Sequence, residues 1–377
     1  MVESMQVPGL GIPLPEGMMI LLLLLAGFRP PRRDLSRYGL LTVVILGLLA
    51  YLVAVTLVQD LDPARRAIRI GLLMLFAYAL ASERIDIKSI LYGMAAGGLV
   101  NVPLFYAGLV PDNYGGYLTG WLADKNVAGL FYALIPVLLV ATMQRMGPKL
   151  LVLGVGFLLV FLTGSRTSLA ALGCAVVWIL LSPYLGRVLR LVLVAGMARF
   201  VGWAEEYLAD AAIFGDRSGT DWFRDRIQAE SARMVDAAPW YGEGLGTAQV
   251  HLDNVTMFFH NSYLALLIEG GWPFLIVVVG LYVALSLRPF AATHRSPSRV
   301  AVEAAAVIIL VASTQLGEVF ITIYGVIVVA AGLLLTAQEA DEKDGLTAAE
   351  RARQRRVGRV MARARRAEGR PVGARQP

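Results

Sequence analysis

The feature that most constrains this chain is a succession of apolar runs, parted by short basic or Gly/Pro-rich breaks, that fills residues 14–337. A helix needs about 20 mostly apolar residues to cross a bilayer. In hydrocarbon each backbone N–H and C=O has to be satisfied within the protein, which a helix does for itself. The composition agrees. With 57% hydrophobic and 16% charged residues and a mean hydropathy of +0.64, the chain is far more apolar than one soluble core of this size requires. The fold class expected is therefore all-α, a polytopic integral membrane protein.

The runs fall at 14–28, 38–59, 67–81, 88–110, 126–143, 149–163, 167–182, 186–203, 259–287, 300–315 and 319–337, which predicts about eleven spans. Met18 to Phe28 is read as a short first span, since no charged front or small-residue cleavage site marks a secretory signal. The connections alternate in charge. One set carries Arg29, Arg32, Arg33, Arg37, Arg84, Lys88, Arg145, Lys149, Arg187, Arg190, Arg288, Arg295 and Arg299, and is predicted to be cytoplasmic by the positive-inside rule. The other set, residues 111–125, 164–166, 204–258 and 315–318, is predicted to face outward. Arg65, Arg66 and Arg69 run against that assignment.

Residues 1–337 are thus expected to form the membrane domain, including an extracytoplasmic segment 204–258. Residues 338–377 are expected to form a cytoplasmic tail without fixed structure. The tail carries eleven basic residues against six acidic ones, so the net charge of +6 is mostly local to it. Such a tail orients the chain and touches anionic lipid headgroups, a reading preferred here to nucleic-acid binding. Cys174 is the single cysteine, which rules out a disulfide framework or thiolate cluster within one chain.

Within the outer segment, Thr220-Asp221 suits a helix start. Phe223, Ile227, Met234 and Ala238 recur at helical spacing until Pro239 ends the pattern. Gly242, Gly244 and Gly246 then suggest a flexible turn. Further on, Gly270-Gly271-Trp272-Pro273 predicts a break between a short surface helix, His260 to Glu269, and a span that starts near Pro273.

Few residues could carry chemistry. His260 sits at the outer interface, and a histidine of ordinary pKa, about 6.5, can take a proton from a hydroxyl at neutral pH. The competing reading is an interfacial histidine that only anchors a helix end. Arg166, at the outer junction of two runs, is costly at that depth and suits an anionic partner, because guanidinium matches phosphate in a bidentate way. Snorkelling to the headgroups is the alternative. Arg217, Arg224, Arg226 and Arg233 add positive charge, alternating with Asp221, Asp225 and Glu230 as on a solvated helix face. An outward histidine among outward arginines suits transfer from a lipid pyrophosphate, where arginines stabilise the leaving group and a base activates the acceptor.

His260-Asn261-Ser262-Tyr263-Leu264, continued by Leu267-Ile268-Glu269-Gly270-Gly271-Trp272-Pro273, resembles the signature of the O-antigen ligase and O-antigen polymerase superfamily. So do Gly164-Ser165-Arg166-Thr167-Ser168 and the Gly-rich stretch from Pro239 to Gly246. Lys125-Asn126-Val127-Ala128 resembles the family's Asn-x-x-Ala element. The resemblance covers residues 115–285, with the elements in the family's order. It implies a GT-C-type fold and transfer of an undecaprenyl-pyrophosphate-linked saccharide to a second glycan or lipid-glycan, with no cofactor and no metal. It makes His260 the catalytic base. Arg166 and an arginine that begins the helix before the Pro-x-x-Gly turn would hold the pyrophosphate. Arg224 matches that arginine, with Arg226 as the second choice. Lys125, Asn126, Asn261 and Glu269 are further candidates within the motifs.

The expected function is therefore a glycan polymerase or ligase, the two differing only in acceptor. Its partners would be the polyprenyl-linked donor, the acceptor glycan and membrane lipids. A protein O-oligosaccharyltransferase of the same superfamily is the alternative enzyme. A secondary transporter is the alternative from another class, though transporters tend to place ionisable groups near the midplane rather than at one face.

Overall fold

The computed structural model describes residues 13–207, 218–252, 255–289 and 295–368, and within these the side chains outside 203–207, 218–221 and 346–368. Arg217 and residues 369–377 lie outside the described residues, as does the side chain of Asp221. The structure is mostly helical, at 74%. The helices are α1 (Leu14–Gly27), α2 (Gly39–Val58), α3 (Ala64–Ala81), α4 (Ile87–Tyr106), α5 (Lys125–Val140), α6 (Met146–Thr163), α7 (Arg166–Leu181), α8 (Arg187–Tyr207), α9 (Ser218–Ala237), α10 (Ser262–Leu281), α11 (Pro297–Ala312) and α12 (Ile323–Glu368).

Each apolar run read from the sequence is largely helical, yet among the described residues six helical stretches are long and apolar enough to cross a membrane. They are Ser36–Val58, Ile87–Tyr106, Met146–Thr163, Arg166–Tyr184, Ser262–Leu287 and Ile323–Gly345. Leu14–Gly27 and Lys125–Val140 are apolar but shorter. The six tend to expose apolar side chains outward, as a lipid-facing surface does. By contrast α11 is buried at every residue from Arg299 to Ala312. With α5, also buried almost throughout, it forms the centre of the bundle.

The helical class expected is the class observed, with one small addition among the described residues: β1 (Gln249–Leu252) and β2 (Val255–Phe258) form an antiparallel hairpin with Gln249 opposite Phe258. Alternation of Val250 inward and His251 outward supports a strand, but four residues are too few for that periodicity to stand out against longer apolar runs. One expectation needs correction: the tail from residue 338 is not structureless, since α12 continues to Glu368. Its Ala, Arg and Glu residues are strong helix formers. The chain divides into two compact units, Met1–Leu334 and Leu335–Pro377.

Within the first unit, successive connections fall at opposite ends of the bundle. At one end Arg32 N–H donates to Ser82 O at 3.0 Å, Tyr92 and Thr142 hydroxyls meet at 3.4 Å, and Ser298 Oγ donates to Ala141 O at 2.7 Å. At the other end Leu118 N–H donates to Leu162 O at 2.9 Å and Leu245 N–H to Thr56 Oγ1 at 2.9 Å. Ser262 Oγ donates to Leu316 O there at 2.6 Å. The candidate residues gather at this second end.

Candidate functional site

His260 is positioned by packing on both sides of it in sequence. Ile227 of α9, Ala248 and Val250 of the hairpin region, Phe259 and Ile268 of α10 form a small buried core. Phe259 is 1% exposed within it while Phe258, pointing the other way, is 70% exposed. Asn261 caps α10, accepting from Tyr263 N–H at 2.9 Å and Leu264 N–H at 3.2 Å. Ser262 ties the same turn to the 313–319 segment through Ser313 O, Leu316 O and Val319 N–H. His260 is therefore held between two anchored neighbours. Its Nδ1 lies 3.0 Å from Phe258 O. A carbonyl only accepts, so the proton sits on Nδ1 and Nε2 carries the lone pair, the tautomer a base needs.

Burial pushes the imidazole below its ordinary pKa, and nearby Arg224 pushes the same way. The bond to Phe258 O and the carboxylate of Asp124 oppose them. The ring is thus neutral near pH 7, with a cation of α9 and an anion of the loop before α5 acting on it in opposite senses. Arg226 lies elsewhere on α9, its guanidinium 5.0 Å from the centroid of the exposed Trp222 ring. Arg224 is therefore the arginine that the fold associates with His260.

Arg166 opens α7. Gly164 ends α6 in the left-handed conformation at φ 64°, and the Ser165 side chain then caps α7. Ser165 Oγ also donates to Asn126 Oδ1 at 3.3 Å, which sets the first turns of α5 and α7 side by side. Helix N-termini carry partial positive charge and attract anions. Lys125 Nζ stands 5.6 Å over the Tyr114 ring, and the Tyr114 hydroxyl donates to Asp124. The Tyr114 phenol is pushed well above its ordinary pKa by burial first and then by that bond.

Glu269 serves a different purpose from the chemistry its motif suggests. It is 2% exposed, accepts from Gly246 N–H at 3.0 Å and pairs with Arg66 of α3 at 3.1 Å. Arg66 also bonds Glu318, Arg69 reaches Glu318 at 3.3 Å and Glu16 at 3.5 Å. Two of the three arginines that ran against the charge pattern, Arg66 and Arg69, are thus paired with carboxylates from three other segments.

The turn expected to be flexible is fixed. Gly242, Gly244 and Gly246 all have positive φ, which only glycine adopts freely. Their backbone plugs the break in α10: Glu243 N–H donates to Ile268 O at 2.7 Å and Gly244 N–H to Glu269 O at 3.1 Å. Trp272 N–H returns a bond to Trp240 O at 3.0 Å, and a Cβ on Gly271 would fall 1.9 Å from that oxygen. The break itself lies at Gly270 and Gly271, both non-helical.

Sequence reasoning missed Asp124, Tyr114, Arg66 and Gly317. Asp124 was open to recognition as an Asp directly before Lys125-Asn126, a helix N-cap position. Gly317 carried no signal, because its neighbour Phe259 is remote in sequence.

Fold and site together define a helical, membrane-embedded protein with a histidine and arginine cluster at one end of its bundle. No protein-family model matches the chain, and neither characterised proteins nor solved structures yield a match.

Proposed function

We propose that the protein transfers an oligosaccharide from a polyprenyl-pyrophosphate donor to a hydroxyl of an acceptor glycan, as a polymerase or ligase. In this reading it crosses the bacterial cytoplasmic membrane about eleven times, with the His260 end outside and the C-terminus inside. The observation that carries the reading is the contact of His260 Nδ1 with Phe258 O, which leaves Nε2 to accept a proton, on a ring that also feels the charge of Arg224 at the end of an apolar bundle. Such a base can accept the proton of the acceptor hydroxyl as its oxygen bonds to the anomeric carbon. The bond from that carbon to the pyrophosphate oxygen breaks, and polyprenyl pyrophosphate leaves with the electron pair. Arg166, Arg224 and the N-termini of α5 and α7 favour the negative charge of the leaving group.

The test uses purified protein with a lipid-pyrophosphate oligosaccharide and a second glycan. General-base catalysis contributes about 10²- to 10⁴-fold, so His260→Ala is expected to lose that factor in turnover while still binding donor. Full specific activity in a well-folded His260→Ala protein sinks the mechanism. Supplying a glycan, a lipid-glycan or a polypeptide as acceptor separates polymerase, ligase and protein O-glycosylation.

A further inference from the structure

We propose that the cleft bounded by α2, α3, α10 and α12 holds one acyl chain of an anionic phospholipid. The lipid belongs to the leaflet at the end of the bundle away from His260, and its phosphate lies against the arginines of that end. The site is distinct from the transfer reading and does not rest on it.

The cleft has a volume of about 970 Å³, its open side included. On α2 its wall runs from Tyr38 to Leu48, and it faces Ile70 to Tyr78 of α3, Phe274 of α10 and Leu333 of α12. At a rise of 1.5 Å per residue the α2 wall is about 15 Å long, the depth of one leaflet in a hydrocarbon core of about 30 Å. The lining is apolar or aromatic apart from Thr42, and the hydroxyl of Tyr282 is already donated to Phe320 O at 2.8 Å. Water finds no partners against such a wall, so the space is dry or filled by hydrocarbon. A chain that fills it restores the dispersion contacts that a void forfeits.

Its two ends differ. Thr42 and Tyr78 are the exposed residues of the lining, in the first turn of α2 and the last turn of α3. The cleft therefore opens near the end away from His260. Towards His260 it is closed: on α2 the wall stops at Leu48, about 15 Å short of Val58. There the buried Phe320 packs on Tyr263 and Tyr282, with ring centroids 5.1 and 5.2 Å apart. Next to Phe320 stand Arg66 and Arg69 with Glu16, Glu269 and Glu318, two cations against three anions, which is a poor seat for a pyrophosphate. The open end is basic instead. Arg32 and Arg33 N–H both donate to Ser82 O, Arg33 pairs with Glu83 at 3.5 Å and Arg84 donates to Arg29 O at 3.0 Å. Residues 29–38 and 82–84 thereby gather five arginines with only Asp34 and Glu83, and Arg29, Arg32 and Arg37 are exposed. An apolar cleft one leaflet deep with a cationic mouth suits an anionic phospholipid, chain inward and phosphate outward. A polyprenyl donor whose pyrophosphate has to reach His260 would need the opposite opening.

The test is native mass spectrometry of the purified full chain, offered phosphatidylglycerol and phosphatidylcholine of matched chains in equal amounts. One phosphatidylglycerol should be retained, preferred by about tenfold, the order expected from arginines beside a phosphate. Ala77→Phe, which sets a ring in the cleft near its opening, should lose both lipids. Arg29→Gln with Arg32→Gln should keep a bound lipid and lose most of the preference. A readout that needs no variant is phosphatidylglycerol with a photoreactive diazirine on its acyl chain, which should cross-link the native protein at lining residues such as Ile45, Met74 and Val278. Cross-links confined to residues outside the cleft overturn the proposal, as does full retention in Ala77→Phe. Equal retention of the two lipids by the native protein, or an unchanged preference in the double arginine variant, removes the phosphate from the site. Displacement by inorganic phosphate alone would show that the chain contributes nothing. Displacement of the lipid by an equal amount of undecaprenyl pyrophosphate would give the cleft to the donor and overturn the proposal as well.

Discussion

Gly317 passes the chain at Phe259 so closely that a Cβ there would fall 1.8 Å from the Phe259 carbonyl oxygen. Rigid backbone cannot yield as the end of a flexible side chain can, so any larger residue must push apart the 313–319 segment and the turn that carries His260. A displacement of about 1 Å at a catalytic group can cost about 10²-fold in rate. Gly317→Ala is accordingly expected to lower kcat on that order while helix content by circular dichroism stays native. Wild-type turnover in Gly317→Ala would show that the contact does not set the histidine's place. The same argument separates the two arginines of α9. Their sequence positions both suit an anion, but Arg226 covers Trp222 whereas Arg224 acts on His260.

At the scale of elements, the break in α10 is a joint of three parts: the Gly-rich turn, Arg66 of α3 and the segment before α12 that carries Glu318. Arg66 and Glu269 pin the joint from within. Removing one partner of a buried pair strands the other charge and costs about 3–5 kcal/mol. Arg66→Ala should therefore lower the Tm markedly, and adding Glu269→Gln should recover part of the loss, a coupling that a double-mutant cycle reads directly. Additive losses would show that the pair contributes nothing of its own. The break was legible beforehand, because Gly270-Gly271 followed by Pro273 cannot continue a regular helix. The helix over Phe223 to Ala238 was legible from its spacing. What docks onto the break was not, because Gly242 to Gly246 meet it about 25 residues later in the chain through their backbone groups, paired with other backbone groups except where Gly246 N–H meets the Glu269 carboxylate. Likewise Asn261 and Glu269 were legible as part of a motif, but their work as a cap and an ion-pair partner depends on neighbours that only folding supplies.

For the whole molecule, the charge pattern decides which end of the bundle faces the cytoplasm. The count made along the sequence changes once burial is known. Arg190 and Arg299 are buried, and Arg295 is paired with the buried Glu303, so these three do not present charge to a headgroup layer. Arg66 and Arg69 at the opposite end are paired in turn, which removes most of the contrary signal. Exposed cations remaining at the end away from His260 include Arg29, Arg32, Arg37, Lys88, Arg145 and Arg187. Exposed acids at the His260 end include Asp60, Asp62, Asp112, Asp225 and Asp236. Lys and Arg set orientation while Asp and Glu count for little, so the bias is preserved by the exposed residues alone. The native Cys174 is buried and stays out of reach of a bulky, impermeant thiol reagent. A cysteine replacing the exposed Thr256 of β2 should therefore react in intact spheroplasts, and one replacing the exposed Gln144 between α5 and α6 should react only after permeabilisation. The reverse pattern would turn the bundle over and put His260 on the cytoplasmic side, where a lipid-linked donor presented outside the membrane could not reach it.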